Sequence, residues 1–541
     1  MARSGHRTAL RFIPVRDDCL LVELAGLDQT LALLDALAGD AVSGVLEIIP
    51  AARTLLIRFD PDRLASARLA DEIVARAGRE RAMVPGGSLE IPVRYDGEDL
   101  AEVAALAGLS PDEVVRRHTA GHYVAAFTGF APGFAYLSGG DPRLHVPRRK
   151  SPRTQVPAGS VGLAGEFSGV YPRASPGGWQ LIGRTPLVMF EPDRVPAALL
   201  KLGTRVRFRN MAEGAIADIA IPARAPPDED ARPAPQGSVM EVLGTALPVL
   251  FQDLGRKGQS AQGISISGAA DCASLRAANR LVGNPVNSPA LEIALGGFGF
   301  RMHGAGVIAI TGATSPVTIT PRDGVALRAP HHAAIALDDG DIVAIGMPSA
   351  GVRAYLAARG GFAVKPVLGS AARDTLAQIG PPPLQPGQRI TILPAPAGAL
   401  VTTEMPAFAM PVSHSISVLD VFMGPRTDWF TDEAVRSFLA QEWAVTALSS
   451  RVGLRLAGTA LERRKPGELP SEATVRGAVQ VPPEGQPVLF LADHPLTGGY
   501  PVIASVAEHH LDLAGQMPVG ARIRFNALNT FAPQEFPEGT R

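Results

Sequence analysis

Three loops of this chain concentrate residue types that bind anions. The run 156–165 reads V-P-A-G-S-V-G-L-A-G, 171–179 reads Y-P-R-A-S-P-G-G-W, and 253–258 reads D-L-G-R-K-G. Glycines allow backbone N–H groups to converge, and arginines add guanidinium forks, so such loops can close around a phosphate or carboxylate. Taken singly, each is better explained as a barrel corner, where glycine serves the turn alone. Their joint occurrence points to a site for a polar anion or an amide.

Other reactive groups carry less. His118 and His122 are spaced for a metal on one helical face, but Gly121 and the strand-like 123–127 stop the helix between them, and a zinc site needs a third ligand. We therefore expect no metal site. The pairs His331-His332 and His509-His510 point to opposite faces if extended, as at a surface or turn. Glu292 interrupts the apolar run 290–295, so it is paired, open to a cleft, or protonated; a solvated sheet face is the plain alternative. The chain has no G-x-x-x-x-G-K-[ST] phosphate loop, and the glycines at 296–299 do not form G-x-G-x-x-G. The run 158–162 is not a nucleophile elbow. No Met-Lys dipeptide of the biotin-attachment type occurs, so the chain is expected to carry no covalent biotin.

The elements that must position these groups are mostly short strands. The chain holds 57 glycines and 48 prolines in 541 residues, about a fifth of the whole, which breaks helices and favours tight turns. Residues 1–88 read as a small α+β domain. Asp28 is its expected helix cap, a hairpin joins 45–49 to 55–59, and a second amphipathic helix spans 61–77, an order that suggests a ferredoxin-like module. A hinge at 85–88 leads into strands over 89–221, with a helix announced by Ser110 at the N-cap and Pro111 at N1. The proline-rich 222–238 is the expected linker. The second half, 239–535, reads as two barrel-like subdomains with a boundary near 350, with helices at 271–281 and 431–443 and a strand at 390–393.

Charge and cysteine narrow the class. Lys plus Arg number 51 against 52 Asp plus Glu, so no basic footprint for nucleic acid is present. Cys19 and Cys272 are too far apart in sequence to suggest a metal framework, and two free thiols fit a cytoplasmic protein. No stretch approaches the ~18 apolar residues of a membrane span, and the N-terminus lacks a signal-peptide core.

Long ordered motifs then carry a resemblance. His118-Thr119, G-F-A-P-G-F-A-Y-L at 129–137, P-R-R at 147–149, Pro152-Arg153, the run 156–165 and S-P-G-G-W-Q-L-I-G-R-T-P at 175–186 resemble the B subunit of 5-oxoprolinase, a family also called allophanate hydrolase subunit 1 or the sensor-kinase inhibitor KipI. The runs 253–258, 268–271, 274–279, G-V-R-A-Y-L at 351–356, S-S-R-V-G-L-R-L at 449–456, V-Q-V-P at 479–482 and T-G-G-Y-P at 497–501 resemble the C subunit, or KipA. The chain is thus similar to a natural B–C fusion.

The resemblance implies a mainly β fold with α+β parts, built from cyclophilin-like barrels. It implies a split enzyme that, with a separate 5-oxoprolinase A subunit of the lactam-utilisation family, opens 5-oxoproline to glutamate while hydrolysing ATP with Mg. It admits a homo-oligomer. Two alternatives follow from the same resemblance: a carboxyltransferase component acting on urea or a similar amide, and a regulatory inhibitor of a histidine kinase. Fusion of inhibitor to antagonist weakens the latter. At matching positions, His118 is the expected proton-transfer group and Arg153 and Arg184 the anion clamps. Backbone N–H groups of Gly159 and Ser160 form the expected nest. Asp253, Arg256, Asp271, Arg353, Arg451, Gln480 and Tyr500 are expected to complete a cleft between the halves. The sequence departs from the family's pattern at 371–375, at Ser450 and at 493–496.

Overall fold

Both faces of the first sheet are covered, so its central strands, Cys19–Glu23 and Thr54–Phe59, carry nearly continuous apolar runs rather than an alternating pattern. Leu20, Val22, Leu55 and Ile57 pack under helices Leu27–Gly39 and Ser66–Arg76. Ile13, Leu21 and Leu56 face the other way, onto Val475, Phe490 and Leu496 far along the chain. The computed structural model describes residues 10–78, 87–211, 237–322, 324–395, 398, 400–401, 403–465, 467 and 469–536. The sheet runs Val45–Pro50, Thr54–Phe59, Cys19–Glu23, Leu10–Arg16 and, at its edge, Gln534–Phe536. Asp28 is not the helix cap: Gly26 takes that place without a side-chain bond, and Asp28 lies in the first turn, where its charge meets the helix dipole.

A seven-stranded sheet follows, in the order Gln180–Arg184, Ser160–Ala164, Phe167–Val170, Ala135–Ser138, Tyr123–Thr128, Arg205–Asn210 and Ser88–Val93. Its two edges meet where Arg94 and Arg184 exchange backbone hydrogen bonds of 2.9 Å each, which bends the sheet into a barrel. Helix Pro111–Ala120 starts as the sequence announces, with Ser110 Oγ accepting from the Glu113 N–H at 3.2 Å. Most of the expected hinge and linker, residues 85–86 and 222–236, lies outside the described residues.

The second half opens with two sheets, of six and five strands, around one core that includes Val242, Leu291, Phe300, Leu356 and Ile392. The expected boundary near 350 falls inside this unit, because Ala350–Ala358 is a central strand paired with both Ala290–Ala294 and Gly306–Thr314. Helix Cys272–Leu281 lies over that strand. A closed barrel of seven strands completes the fold: Ile416–Met423, Val502–Val506, Ala478–Gln480, Val488–Phe490, Gly453–Ala457, Trp443–Val445 and Arg522–Ala527. The architecture is mainly β with α+β parts, as expected. None of the described helices is long and apolar enough to cross a membrane.

Candidate functional site

The two halves meet where glycine-rich turns can approach each other closely. The loop 129–133 of the first half turns sharply, with Phe130 at φ 63° and Gly133 at φ 78°. The Phe130 N–H donates to Thr497 Oγ1 at 3.0 Å, and a side chain on Gly129 would collide with that same threonine. Nearby, Thr128 Oγ1 donates to the Ser260 carbonyl at 3.0 Å and the Gly133 N–H to the Gln262 carbonyl at 2.9 Å, so the second half also clasps this loop from behind.

Between these turns lies a cleft of about 100 Å³, lined by Phe130, Tyr171, Trp179 and Arg148 from the first half and by Ser471 and 497–499 from the second. Its floor is aromatic: Phe134 meets Tyr171 and Trp179 edge-on at 5.6 and 5.3 Å. Burial pushes the Tyr171 phenol up to about 12, so it stays protonated. A Cβ on Gly499 would stand 3.8 Å from the Arg148 guanidinium, which places that cation at the rim. Gly177 must lack a side chain because the Tyr171 ring occupies the space, whereas a Cβ on Gly498 would meet only the movable Gln480 amide at 2.7 Å. Asp99 holds the arginine-rich loop in place. It takes Arg149 at 2.6 Å and Arg153 at 2.8 and 2.9 Å, and accepts the Leu181 N–H at 2.7 Å. The arrangement suits a small, flat, polar molecule bearing one negative group.

Of the residues selected from sequence, Gln480 and Tyr500 stand beside this cleft. The Gln480 amide donates to the Tyr500 carbonyl at 3.0 Å, and Arg463 sits 5.8 Å over the Tyr500 ring. The others do not converge there. His118 is fully buried between Tyr95 Oη at 2.7 Å and Ser168 Oγ at 2.9 Å, and burial drives it down to about 3, so it is a neutral core residue. Arg153 is taken up by Asp99, and Arg184 pairs with Asp96 at 2.6 Å on the surface. No anion nest forms at 159–160, since the Gly159 N–H goes to the Tyr171 carbonyl at 2.8 Å and that of Ser160 to Pro157 at 3.3 Å. Asp253 braces a loop, accepting from Ser370 Oγ at 2.6 Å and the Ala371 N–H at 2.8 Å, and Arg256 donates to the Ala372 carbonyl.

Asp271, Arg353 and Arg451 belong instead to a buried charge network between the two units of the second half. Arg451 forks onto Asp493 at 2.9 and 3.0 Å and also bonds Glu292, while Arg353 stands 3.5 Å from Glu292. Burial alone would raise Glu292 and Asp493, but Arg451 outweighs it and holds both below the usual carboxylate range. Glu292 is therefore paired, not open to a cleft. Asp271 caps helix Cys272–Leu281 and accepts from Gln516 Nε2 at 2.8 Å; burial and nearby Asp512 lift it to about 6. Two segments that departed from the family's pattern meet here: Asp493 Oδ2 accepts from both the N–H and the hydroxyl of Thr375, at 2.8 and 2.7 Å. Sequence reasoning passed over Arg148, Thr497 and the aromatic floor, although the motifs 129–137, 147–149, 175–186 and 497–501 contain nearly all of them.

Two β-rich halves face each other across a small aromatic cleft with a cation at its rim, and both halves match the carboxyltransferase-domain family. Residues 10–200 match the family described as carboxyltransferase domain, subdomain C and D, and residues 262–527 match carboxyltransferase domain, subdomain A and B. The solved structure of TTHA0988 superposes with a TM-score of 0.79 at 34% identity, covering 94% of this chain and 99% of that one. Over 186 residues the chain is 44% identical to the 5-oxoprolinase B subunit of Bacillus subtilis (strain 168), a match covering 31% of this chain and 77% of the relative. Over 291 residues it is 33% identical to the 5-oxoprolinase C subunit of Escherichia coli (strain K12), covering 53% and 90%. The chain belongs to this family, with one half like the B subunit and one half like the C subunit joined in a single polypeptide. It is also 30% identical over 302 residues to the urea amidolyase of Saccharomyces cerevisiae, of which it spans 16%.

Proposed function

We propose that the chain is the joined B–C component of an ATP-dependent 5-oxoprolinase, opening 5-oxo-L-proline to L-glutamate together with a separate A subunit. The observation that carries this reading is Arg148 at the rim of an aromatic cleft of about 100 Å³ on the seam between the halves. 5-Oxoproline is a flat five-membered lactam bearing one carboxylate. Its ring fits against the Phe134–Tyr171–Trp179 floor, and its carboxylate can pair with the guanidinium. Gly178 and Gly499 let backbone come close to the bound lactam, where an oxyanion develops as the C–N bond opens and water is added. Aromatic walls keep bulk water away from that charge. A cleft of this size does not take a nucleotide, since drug-sized ligands need roughly 300 Å³ or more. We assign ATP with its Mg to the separate A subunit, outside this cleft.

The carboxyltransferase-domain matches favour a second reading, transfer of a carboxyl group from a carrier protein's carboxybiotin to an amide such as urea. Urea has no carboxylate for Arg148, which ranks this reading second. The purified chain mixed with an A subunit of the lactam-utilisation family, ATP and 5-oxoproline separates the two. Glutamate appearing only with every component present supports the first. Consumption of carboxybiotin with urea and no glutamate overturns it.

A further inference from the structure

A second cavity lies behind the seam. It encloses about 210 Å³ between the first sheet, the loop 254–267 and the barrel segments that carry Arg476 and Leu496. A single water needs only ~10–15 Å³, so this space is sized for an organic ligand. Ile49, Ile264, Val475 and Leu496 give the lining an apolar component, and Arg16, Arg58, Lys257 and Arg476 a cationic one, beside the carboxylates of Glu47 and Glu508.

Most of those cations are already neutralised. Arg16 is held by Asp18 at 2.6 and 2.9 Å, and Arg58 by Glu47 at 3.3 Å. Lys257 has no acidic partner among the described residues. Arg476 reaches the Ala270 carbonyl at 2.6 Å and pairs with Asp512 at 3.3 Å, yet its Nε is buried with no hydrogen-bond partner among the described residues. Leaving a buried donor unsatisfied is costly, and the cost is removed by an acceptor in the cavity. The remaining acid of the lining, Glu508, is exposed, as Lys257 is, so solvent screens both, while Arg476 is largely buried.

We propose that this cavity binds a small organic anion with an apolar body, its carboxylate taken by Lys257 and Arg476 and its chain by Ile264 and Val475. The assignment does not depend on the oxoprolinase reading. The site is coupled to the seam through shared elements. Ser267 lines the cavity and donates to Asp493 at 2.6 Å, which holds Arg451. Thr474 and Leu496 line it too, joined by a backbone bond of 2.9 Å, and directly continue the two-stranded ladder Glu472–Ala473 with Thr497–Gly498. A ligand here thus presses on the back of the wall whose front carries Thr497.

Equilibrium dialysis of the full chain against radiolabelled hexanoate tests the assignment. Saturable binding at one site per chain is expected. Lys257→Glu, at an exposed position that leaves the fold intact, should weaken it by at least about tenfold, since it replaces a cation with an anion. The seam variant Arg148→Ala should bind hexanoate as the parent does. Hexylamine, with the same body and opposite charge, should not compete, and inorganic phosphate should compete far more weakly. The proposal falls if hexanoate does not saturate, if Lys257→Glu binds it unchanged, if Arg148→Ala abolishes binding, if hexylamine competes, or if phosphate competes equally.

Discussion

The backbone N–H of Phe130 and the hydroxyl of Thr497, 367 residues apart in sequence, form a 3.0 Å hydrogen bond that ties the aromatic loop of one half to the glycine turn of the other. Phe130 sits in the left-handed region at φ 63°, a strained conformation for a bulky residue, and this bond helps to hold it. Thr497→Val keeps the shape and removes the acceptor. It should cost about 1–3 kcal/mol at the seam, read as a lower melting temperature and faster amide exchange at Phe130. Unchanged exchange would show that the bond contributes nothing to the closure of the cleft.

The cleft glycines separate packing from function. Gly177→Ala drives a methyl into the Tyr171 ring and should destabilise the chain by about 1–3 kcal/mol. In Gly499→Ala the new methyl meets only ordinary contacts, the nearest at 3.5 Å, so melting should be unchanged. That methyl stands beside Arg148, however, and in the reconstituted 5-oxoprolinase assay KM for 5-oxoproline should rise. Steady-state kinetics beside a thermal melt reads both outcomes.

Arg451 is a brace, not a group that touches ligand. Its side chain is 8% exposed and carries two buried carboxylates, Asp493 and Glu292. Arg451→Met leaves Asp493 without its counter-charge and Glu292 with Arg353 alone, and should cost about 3–5 kcal/mol, measured by denaturant unfolding. Loss of activity without loss of stability would return Arg451 to the candidate ligand contacts.

His118 predicts a pH dependence. Its folded value, about 3, is below the ordinary 6.5 because burial disfavours the imidazolium. Below 6.5 the unfolded chain therefore binds a proton that the folded chain refuses, and stability falls as pH drops from 6.5 toward 3. Each pH unit well inside that window removes up to ~1.4 kcal/mol. His118→Leu should be less stable at pH 7, because Tyr95 and Ser168 lose their partner, yet its stability should fall less steeply between about pH 6 and 4. Parallel slopes for the two proteins would show that His118 does not titrate in this way.

Much of the local structure was legible because its causes are local. Ser110 followed by Pro111, Asp112 and Glu113 starts a helix by satisfying N–H groups within one turn, and Asp271 does the same for Cys272–Leu281. The boundary placed near 350 was not legible, because G-V-R-A-Y-L reads as a strand whether it ends one unit or runs through the centre of another. Only its pairing with Ala290–Ala294 and Gly306–Thr314 decides that.

The candidate site divides along the same line. Motifs over 129–137, 175–186 and 497–501 marked the segments that meet, since glycine next to aromatic residues is written in the chain and makes close approach feasible there. Which charges border the cleft was not written there. Arg153 and Arg148 look alike in sequence, but Asp99 neutralises the first while the second lines the cleft. Asp493 departs from the family's pattern, and its partners Thr375 and Arg451 lie far from it along the chain. Strands, the helix starts at Ser110 and Asp271, and the turns able to touch follow from residue order along the chain. Tertiary structure alone decided which ionic groups neutralise each other, because electrostatic pairing acts through space between residues distant in the chain, and burial sets its strength.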